Sequence, residues 1–468
     1  MKNYLLRFII PAVFLLFSGS CSNSPQQSNP STMKFSGAKG EIKLITLDPG
    51  HFHASLVQKY MYDQVDPTVH VYAPDGPDVQ SYLNTVTGFN ERAENPTTWN
   101  EVVYTGPDFM EKMRAEKAGN VVVLAGNNQK KTEYILASIE AGLHVLADKP
   151  MVIQPEAFPQ LLEAFQKAEA NGVMLYDIMT ERYEVSTILQ KELSQIPSVF
   201  GELVQGTEAE PAVTKESVHH FSKEVAGKPL IRPAWFFDVN QQGEGLVDVT
   251  THLVDLIQWE CFPEQIIDYQ KDIKIQSVSR WATELTPSMF RKVTGLGEYP
   301  EYLSNKVKND SLLEVFANGE INYTLKGIHA KTSVIWNFEA PAGAKDTHYS
   351  MMRGTKANLV IRQGAEQNYE ARLYVEPLPG DDSGNFESAL QAAIQTLSSN
   401  YPGLTLSPSE NGFEVVIPDN FKVGHEAHFS QVTEKFLKYL AEGKLPDWEV
   451  PNMIAKYYTT TEAFKMSR

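Results

Sequence analysis

The chain has 468 residues, of which 42% are hydrophobic. This is enough to bury a large core and too long for one ordinary domain, so we expect two domains. Lys and Arg number 41 against 58 Asp and Glu, which gives a formal net charge of -17. Such a charge repels phosphate backbones and anionic membrane surfaces, so nucleic acid is not an expected partner.

Residues 1–21 are typical of an export signal. A basic start at residues 1–7 precedes an apolar run over residues 8–17, and small residues lead to Cys21. The apolar run is too short to span a bilayer as a stable anchor. Cys21 resembles the lipidated cysteine of a bacterial lipobox, although Ser18 stands where Leu is more usual. The alternative is an ordinary cleaved signal with an incidental cysteine.

Lipidation at Cys21 would place the protein outside the cytoplasm. We therefore expect an exported, periplasmic lipoprotein that contacts the membrane only through an N-terminal lipid. With Cys21 lipidated, Cys261 has no partner for an intramolecular disulfide, and we expect it to be a small buried residue rather than a nucleophile. Residues 22–40, rich in Ser, Asn, Gln and Pro, would form a flexible tether.

From Glu41 the chain alternates short apolar runs with helical patterns. Because strand, helix and strand follow in this order, we predict a Rossmann-type α/β domain over residues 41–180, with a doubly wound parallel sheet. Its ligand should lie at the carboxyl ends of the strands. Strands are predicted over residues 42–47, 69–73, 121–125 and 144–147, and helices over residues 51–62 and 132–141.

The first strand-to-helix turn of a dinucleotide-binding fold usually reads G-x-G-x-x-G, because glycines let the backbone approach the pyrophosphate. Here the aligned residues are Asp48, Gly50 and His53, so one glycine of the three is present. Asp48 would repel a pyrophosphate if it pointed inward. His51 and His53 could offset that repulsion by donating hydrogen bonds, or they could be plain turn and helix residues.

The end of the second predicted strand indicates which dinucleotide to expect. Asp75 follows that strand and is the candidate for a contact with the adenosine ribose. Neither Lys nor Arg stands close enough in the sequence to receive a 2′-phosphate. NAD is therefore favoured over NADP.

After Thr180 the pattern changes to alternating strands, predicted over residues 312–316, 321–325, 333–338 and 359–362. We expect residues 181–468 to form an α+β domain for substrate binding and oligomerisation, built on an open, mostly antiparallel sheet. A homo-oligomer is allowed but not specified by the sequence. Residues 373–419 look like an elaboration with no assignable role.

Two motifs make the chain similar to a known family. Residues 141–150 resemble the A-G-x-H-V-x-x-E-K-P segment of the glucose-fructose oxidoreductase, inositol dehydrogenase and MocA-type family, with Asp148 in place of Glu. Residues 243–255 resemble that family's G-G-x-x-x-D-x-x-x-H-x-x-D helix. The turn containing Asn128 and the strand end at Arg182 and Tyr183 are also similar. The resemblance extends from about residue 41 to the C-terminus and implies a nicotinamide-dependent oxidoreductase.

By this resemblance, Lys149 and His252 are the catalytic pair, with Asp248 between them. The chemistry agrees, because oxidising a secondary alcohol needs a base for the hydroxyl proton and histidine titrates in the right range. Lys149 would stabilise the developing alkoxide, and Asp248 would orient the imidazole or the substrate hydroxyl. Asp255 would bind a second hydroxyl or hold the helix. Each assignment has a structural alternative. Lys149 could be a surface lysine, the motif could lie on a solvated helix face, and His252 could be a core histidine whose hydrogen bonds are satisfied within the protein.

The remaining candidates are less specific. Arg182 and Tyr183 could line a sugar site or be structural, and Trp235 could stack on a sugar face. His219 and His220 are predicted to lie in a solvent-exposed loop. No metal site is expected, since too few ligands converge in the sequence.

The preferred hypothesis is an NAD-dependent oxidoreductase that converts a secondary hydroxyl of a sugar or glycoside to a keto group, with NAD retained between turnovers. One alternative is an NAD-dependent glycoside hydrolase that acts by transient oxidation and elimination. Another is a nucleotide-free, sugar-binding lipoprotein. The candidate cofactor residues are Asp48, Gly50, His51, His53, Asp75, Asn128 and Lys149, and the candidate substrate residues are Asp255, Arg182, Tyr183 and Trp235.

Overall fold

A computed structural model describes residues 35–225, 228–309, 311–379 and 383–468. The predicted export signal and Cys21 lie outside these residues. Phe35, in the range predicted as a tether, is 7% exposed and packs against the His144 ring. Within the described ranges, the helices are all too short or too polar to cross a bilayer.

The first domain is a six-stranded parallel sheet flanked by helices. Its strand order is β3-β2-β1-β4-β5-β6, the doubly wound order in which the direction of winding reverses beside β1. This confirms the predicted Rossmann architecture. The strands are β1 (Leu44–Leu47), β2 (Thr68–Ala73), β3 (Asn100–Thr105), β4 (Val121–Leu124), β5 (His144–Asp148) and β6 (Leu175–Ile178), and the helices are α1 (His53–Leu56), α2 (Pro77–Glu91), α3 (Phe109–Glu116), α4 (Lys131–Glu140) and α5 (Phe158–Asn171).

The first helix is much shorter than the predicted helix over residues 51–62. The carbonyl oxygen of Gln58 accepts a hydrogen bond from the Trp99 indole at 2.6 Å, and that of Lys59 accepts one from Arg92 at 2.6 Å. These long-range donors replace the backbone amides that would continue the helix. Nothing in the local sequence pattern signals them.

The second domain is built on an open, mostly antiparallel sheet, as predicted. The sheet order is β10-β12-β13-β7-β14-β15-β16-β18-β17, and β7 and β13 pair in parallel. The strands are β7 (Val213–Ser222), β8 (Glu224–Val225), β9 (Lys228–Pro229), β10 (Ile273–Leu285), β11 (Val307–Lys308), β12 (Leu312–Leu325), β13 (Ile328–Glu339), β14 (Thr347–Arg353), β15 (Ala357–Gln363), β16 (Arg372–Pro377), β17 (Thr405–Ser409) and β18 (Gly412–Val416). The helices are α6 (Val185–Ser194), α7 (Thr250–Cys261), α8 (Pro287–Thr294), α9 (Ser383–Leu397), α10 (His425–Glu442) and α11 (Glu449–Met466).

Two details of this domain differ from the sequence analysis. The predicted strands over residues 312–316 and 321–325 are one continuous strand, β12, which crosses Gly319 without a break. The segment of unknown role, residues 373–419, supplies the last strands of the sheet and helix α9. It therefore extends the sheet edge.

The last two helices return towards the first domain. Phe436 of α10 stacks on Tyr176 of β6, with ring centroids 5.8 Å apart. Phe429 and Val432 belong to the same buried apolar cluster as the parallel sheet. The two domains thus share a continuous core at this point, on the side of β6.

Candidate active site

Lys149 directly follows β5 and reaches the second domain. Its Nζ donates to Asp248 Oδ1 at 2.6 Å, and both side chains are nearly buried. Burial acts to lower the pKa of Lys149, but the carboxylates of Asp248 and Asp148 outweigh it and raise the pKa above its ordinary value. The ammonium group is therefore charged at neutral pH, at the carboxyl end of the parallel sheet.

Asp248 lies in a run of turns that leads into α7. The helix that the motif over residues 243–255 leads us to expect begins only at Thr250, and the preceding Gly245 N–H donates to Phe316 O at 3.0 Å. A Cβ added at Gly245 would lie 2.1 Å from Ala317 O, so only glycine lets this segment pack against β12. The second oxygen of Asp248 accepts from Gln242 Nε2 at 3.0 Å. With both oxygens occupied, Asp248 positions the lysine.

His252 lies in the first turn of α7 and faces a cavity. Burial, followed by the nearby charge of Lys149, lowers the pKa of His252 well below its ordinary value. The imidazole is thus neutral at pH 7 and can accept a proton. Its Nδ1 is buried without a hydrogen-bond partner among the described residues. A buried nitrogen without a partner calls for an explanation, such as a water molecule or a functional role.

The cavity beside His252 has a volume of about 200 Å³. Most of its wall surface is apolar, and several polar side chains reach it from the segment after β6, from α6 and α7, and from β7 and β14. A few oriented polar groups around a small cavity are typical of a small-molecule site. The lining side chains include Glu181, Glu184, Ser217, His219, His252, Asp346 and His348.

Glu181 was missed by the sequence analysis. Loss of solvent around the carboxyl, reinforced by Glu184, raises the pKa of Glu181 to about 7. The side chain can therefore gain or lose a proton at neutral pH, as a general acid or base requires. The signal that could have found it is its position next to Arg182, in the strand end that resembles the family motif.

The prediction that His219 and His220 lie in an exposed loop is wrong. Both belong to β7, and their Nδ1 atoms approach Asp346, at 3.5 Å and 2.9 Å respectively. His219 stacks on Trp336 with ring centroids 4.8 Å apart and lines the cavity. Polar and apolar residues do not alternate regularly in Val213–Ser222, because this strand is partly buried on both faces. The sequence pattern therefore did not indicate a strand.

Asp255 and Arg182 lie together in the interior, away from the cavity. Arg182 donates to both oxygens of Asp255 at 2.7 Å and to Glu449 at 2.7 Å. Lys456 donates to Asp255 at 2.8 Å and lies 2.6 Å from Asp177. These partners occupy both side chains, which favours the structural alternative over sugar binding. Tyr183 packs against the core of the first domain.

The turn after β1 does not fit a pyrophosphate in the way this fold usually holds one. The Gly50 and His51 N–H groups both donate to Ala125 O at 3.3 Å, so neither is free for a phosphate. A Cβ at Gly50 would lie 3.1 Å from Asp78 Oδ2, which means that a carboxylate covers the glycine. Burial raises the pKa of Asp48 to about 6. This side chain is therefore still mostly ionised at neutral pH and adds a second carboxylate beside Asp78.

Contacts from the second domain also cross the dinucleotide crevice. Trp235 Nε1 donates to Asp78 Oδ2 at 2.8 Å, so this ring lies across the crevice and not at the cavity wall. Asn128 Nδ2 donates to Gln242 O at 2.7 Å, and Asn127 Nδ2 donates to Gln241 Oε1 at 2.7 Å. Asp75 is exposed beyond β2. The described residues therefore form a closed crevice that would have to open for a dinucleotide.

His51 and His53 instead meet Asp148 at the end of β5. His53 Nδ1 lies 2.9 Å from Asp148 Oδ2, and His51 Nδ1 lies 3.9 Å from the same oxygen. The structure thus separates the predicted site residues into two main groups. Lys149, Asp248 and His252 lie between the domains, and the two histidines lie beside Asp148.

Two family models match the chain. "Oxidoreductase family, NAD-binding Rossmann fold" matches residues 58–176. "Putative oxidoreductase C terminal domain" matches residues 189–468, which is more than half of the chain. Among curated proteins, no relative matches.

Solved structures are similar over nearly the whole chain. A crystal structure of a "putative oxidoreductase" from Parabacteroides merdae has 59% sequence identity and a TM-score of 0.91, covering 93% of this chain and 99% of that one. Levoglucosan dehydrogenase in complex with NADH and levoglucosan has 13% identity and a TM-score of 0.55, covering 91% and 98%. Biliverdin reductase from Synechocystis, in complex with biliverdin and NADP+, has 11% identity and a TM-score of 0.54, covering 91% and 99%. The last two likenesses concern the fold alone.

Proposed function

Because the chain belongs to the glucose-fructose oxidoreductase, inositol dehydrogenase and MocA-type family of oxidoreductases, we propose that it acts on a secondary hydroxyl of a sugar or glycoside. The observation that carries the proposal is the cavity of about 200 Å³ beside His252, whose mainly apolar wall is interrupted by carboxyl, imidazole and hydroxyl side chains. Carboxylates, imidazoles and hydroxyls are the donors and acceptors that a polyhydroxylated ring requires. The cavity volume suits one sugar ring.

The proposed chemistry rests on proton transfer and charge stabilisation by this chain's own residues. His252 accepts the proton of the substrate hydroxyl, and its lowered pKa means that the imidazole is neutral before the reaction. Lys149, whose pKa is raised, stabilises the negative charge that develops on the substrate oxygen. Asp248 holds the ammonium group in place at 2.6 Å. Glu181, with a pKa of about 7, can exchange a proton with a molecule bound in the cavity.

In this family a nicotinamide dinucleotide would accept the hydride when it is bound. Asp75 favours NAD on sequence grounds, whereas the named neighbours include complexes with NADH and with NADP+. The turn after β1 and the contacts of Trp235 do not fit that group, as described above. We therefore derive no step through it.

The closed crevice favours a second candidate function that needs no nucleotide. In this reaction His252 removes a proton from the carbon beside the carbonyl of a keto-glycoside, and Lys149 stabilises the enolate oxygen. The C–H electron pair forms a C=C bond as the glycosidic C–O bond breaks and the leaving group takes up a proton. There is no net oxidation, so no hydride acceptor is required.

The test is to incubate the purified protein with a panel of glycosides and their keto derivatives, each with NAD, with NADP and without nucleotide. Reduced nicotinamide and released aglycone are followed together. Nicotinamide reduction with a glycoside supports dehydrogenation, whereas nucleotide-independent cleavage of a keto-glycoside supports elimination. Sugar binding without either reaction would support the alternative of a sugar-binding lipoprotein. If the protein shows no binding and no turnover, the proposal is contradicted.

We also propose that the protein is an envelope lipoprotein attached through Cys21, with a homo-oligomer as a further expectation. Cys21→Ser should release the protein from the membrane fraction of the producing cells. A Cys21→Ser variant that stays membrane-associated would contradict the lipid anchor.

A further inference from the structure

We propose that His51, His53 and Asp148 form a binding site for one first-row divalent transition metal ion, with Zn²⁺ as the reference ion. The site lies where a Rossmann fold usually holds the dinucleotide phosphates. This inference goes beyond the proposed function and does not depend on it, because it concerns metal binding and not turnover.

The fold brings the three ligands together from distant parts of the sequence. His51 and His53 come from the turn after β1, and Asp148 ends β5, so all three lie at the carboxyl edge of one parallel sheet. One potential ligand atom from each residue lies within 4.8 Å of the others. Zn–N and Zn–O bonds of about 2.0–2.2 Å place tetrahedral ligands roughly 3.4 Å apart. The distances of 2.9 Å and 3.9 Å from the imidazoles to Asp148 bracket that spacing.

Both imidazoles present Nδ1 to the carboxylate. His53 Nδ1 hydrogen-bonds to Asp148 Oδ2 at 2.9 Å, and a metal ion would take the place of that contact, since imidazole nitrogen is a common metal ligand. His51 Nδ1 accepts a hydrogen bond from the His53 N–H at 3.3 Å, which identifies Nδ1 as the unprotonated atom. A bond of this length is weak and readily gives way to a metal.

The surrounding charges set a limit on the site. Lys149 and Lys131 oppose a cation, but Asp248 neutralises Lys149 at 2.6 Å. Lys131 Nζ donates to the main-chain oxygen of Asp148 at 3.0 Å, so it is held by the backbone and not by the carboxylate. The His425 ring is a further neighbour, with its centroid 5.5 Å from that of His53.

Two histidines and one carboxylate leave coordination positions for water or for an oxygen of a ligand. Asp148 is adjacent to Lys149, so the metal would lie next to the proposed reaction centre and could act there as a Lewis acid. A metal-binding role also accounts for His53 at a position where this fold usually has glycine.

The test measures metal binding directly on the full-length protein. The metal content of the purified protein is determined by inductively coupled plasma mass spectrometry. Protein stripped with EDTA is then titrated with Zn²⁺ in competition with a chromogenic chelator. We expect one Zn²⁺ per chain, bound at least about 100-fold more weakly by His51→Gln, His53→Gln and Asp148→Asn, since even outer-shell partners are worth about 10–100-fold.

His70→Gln is the matched control, because His70 belongs to β2 of the same sheet but lies outside the cluster. It should bind Zn²⁺ as the wild type does. Circular dichroism and thermal unfolding show whether each variant is folded, and His51→Gln, which is the least buried of the three sites, keeps the test valid if another variant unfolds. Absence of stoichiometric binding by the wild type, or undiminished binding by folded ligand variants, would overturn the proposal.

Discussion

At the scale of single residues, the site depends on a lysine that is nearly buried and still charged. The Lys149 side chain is only 11% exposed, and its partner Asp248 is 8% exposed. An unpaired charge at such a position would be strongly destabilising. The pair therefore keeps an ammonium group at the carboxyl end of the parallel sheet without the cost of an isolated charge. In the proposed reaction Asp248 is a positioning residue, and Lys149 and His252 would contact the substrate.

Replacing Lys149 by Met should abolish most of the activity. Loss of a group that stabilises developing charge typically lowers turnover by about 10²–10³-fold. Turnover is measured on the glycoside or keto-glycoside that the panel identifies. Lys326→Met, which removes a partly exposed lysine paired with Asp272, is the matched control and should retain activity.

Because Lys149→Met leaves Asp248 buried and unpaired, it should also cost about 3–5 kcal/mol of unfolding free energy. The double variant Lys149→Met/Asp248→Asn removes that unpaired charge and should recover stability but not turnover. Full activity in either folded variant would refute the proposed role of Lys149.

The raised pKa of Glu181 predicts a pH dependence of stability. Its carboxyl titrates near pH 7 in the folded protein and near 4.5 ordinarily. Between these values the folded protein holds a proton that the unfolded chain releases, so the unfolding free energy falls as pH rises from about 4.5 to about 7. We therefore compare the unfolding free energy of Glu181→Gln with that of the wild type at each pH. The variant should be more stable relative to the wild type at pH 8 than it is at pH 5.

Urea unfolding at the two pH values measures this difference. Glu156→Gln, at a side chain that is 71% exposed, should show no such change between pH 5 and pH 8. An identical difference between Glu181→Gln and the wild type at both pH values would contradict the assigned pKa.

At the scale of elements, the position of α7 depends on glycines that let its leading turns lie against β12. Gly245 meets Ala317, and a Cβ added at Gly319 would lie 2.4 Å from Leu246 Cδ2. The turns between them hold Asp248 where it can reach Lys149. The register of β12 therefore sets where Asp248 meets Lys149, in the proposed active site.

Gly319→Ala should destabilise the protein by about 1–3 kcal/mol, because the added methyl group overpacks this contact. Gly88→Ala offers a matched comparison, since an added Cβ there meets nothing within 4 Å and Gly88 lies inside helix α2. That variant should be stabilised by about 0.5–1 kcal/mol. Urea unfolding of both variants tests the contrast, and equal effects of the two substitutions would contradict the packing argument.

At the scale of the whole molecule, a buried ion-pair network connects the two domains. Lys456 Nζ of α11 lies 2.6 Å from Asp177 of β6 and 2.8 Å from Asp255 of α7. The Lys456 side chain is fully buried. Removing one partner of such a network leaves an uncompensated charge in the core. The network thus fixes α7, and with it His252, relative to the parallel sheet.

Lys456→Met should lower the unfolding free energy by about 3–5 kcal/mol for this reason. Thermal and urea unfolding provide the measurement. Lys465→Met, on the same helix but with a side chain that is 64% exposed, should change stability by less than about 0.5 kcal/mol. Similar effects of the two substitutions would show that the network adds no stability.

The sequence predicted the elements whose pattern is set by burial alone. The fully buried runs at β1, β4 and β5 were recognised, because parallel strands covered on both faces read as continuous apolar segments. The edge strand β3 was missed, since Val102 and Val103 are exposed and its apolar run is short.

The candidate site was predicted only in part. Lys149, Asp248 and His252 were identified through their family-like spacing, and the structure brings the lysine to the aspartate. Glu181 and the partners of Asp255 were not found, because these contacts join residues as far as 201 positions apart. The meeting of His51 and His53 with Asp148 depends in the same way on the order of the parallel strands.

The most direct test of the central claim is a crystal structure of the protein with a glycoside from the panel bound. The account predicts the sugar ring in the cavity beside Glu181 and His219, with one secondary hydroxyl within hydrogen-bond distance of both Lys149 Nζ and the His252 imidazole. A sugar bound elsewhere, or one that reaches neither group, would contradict it.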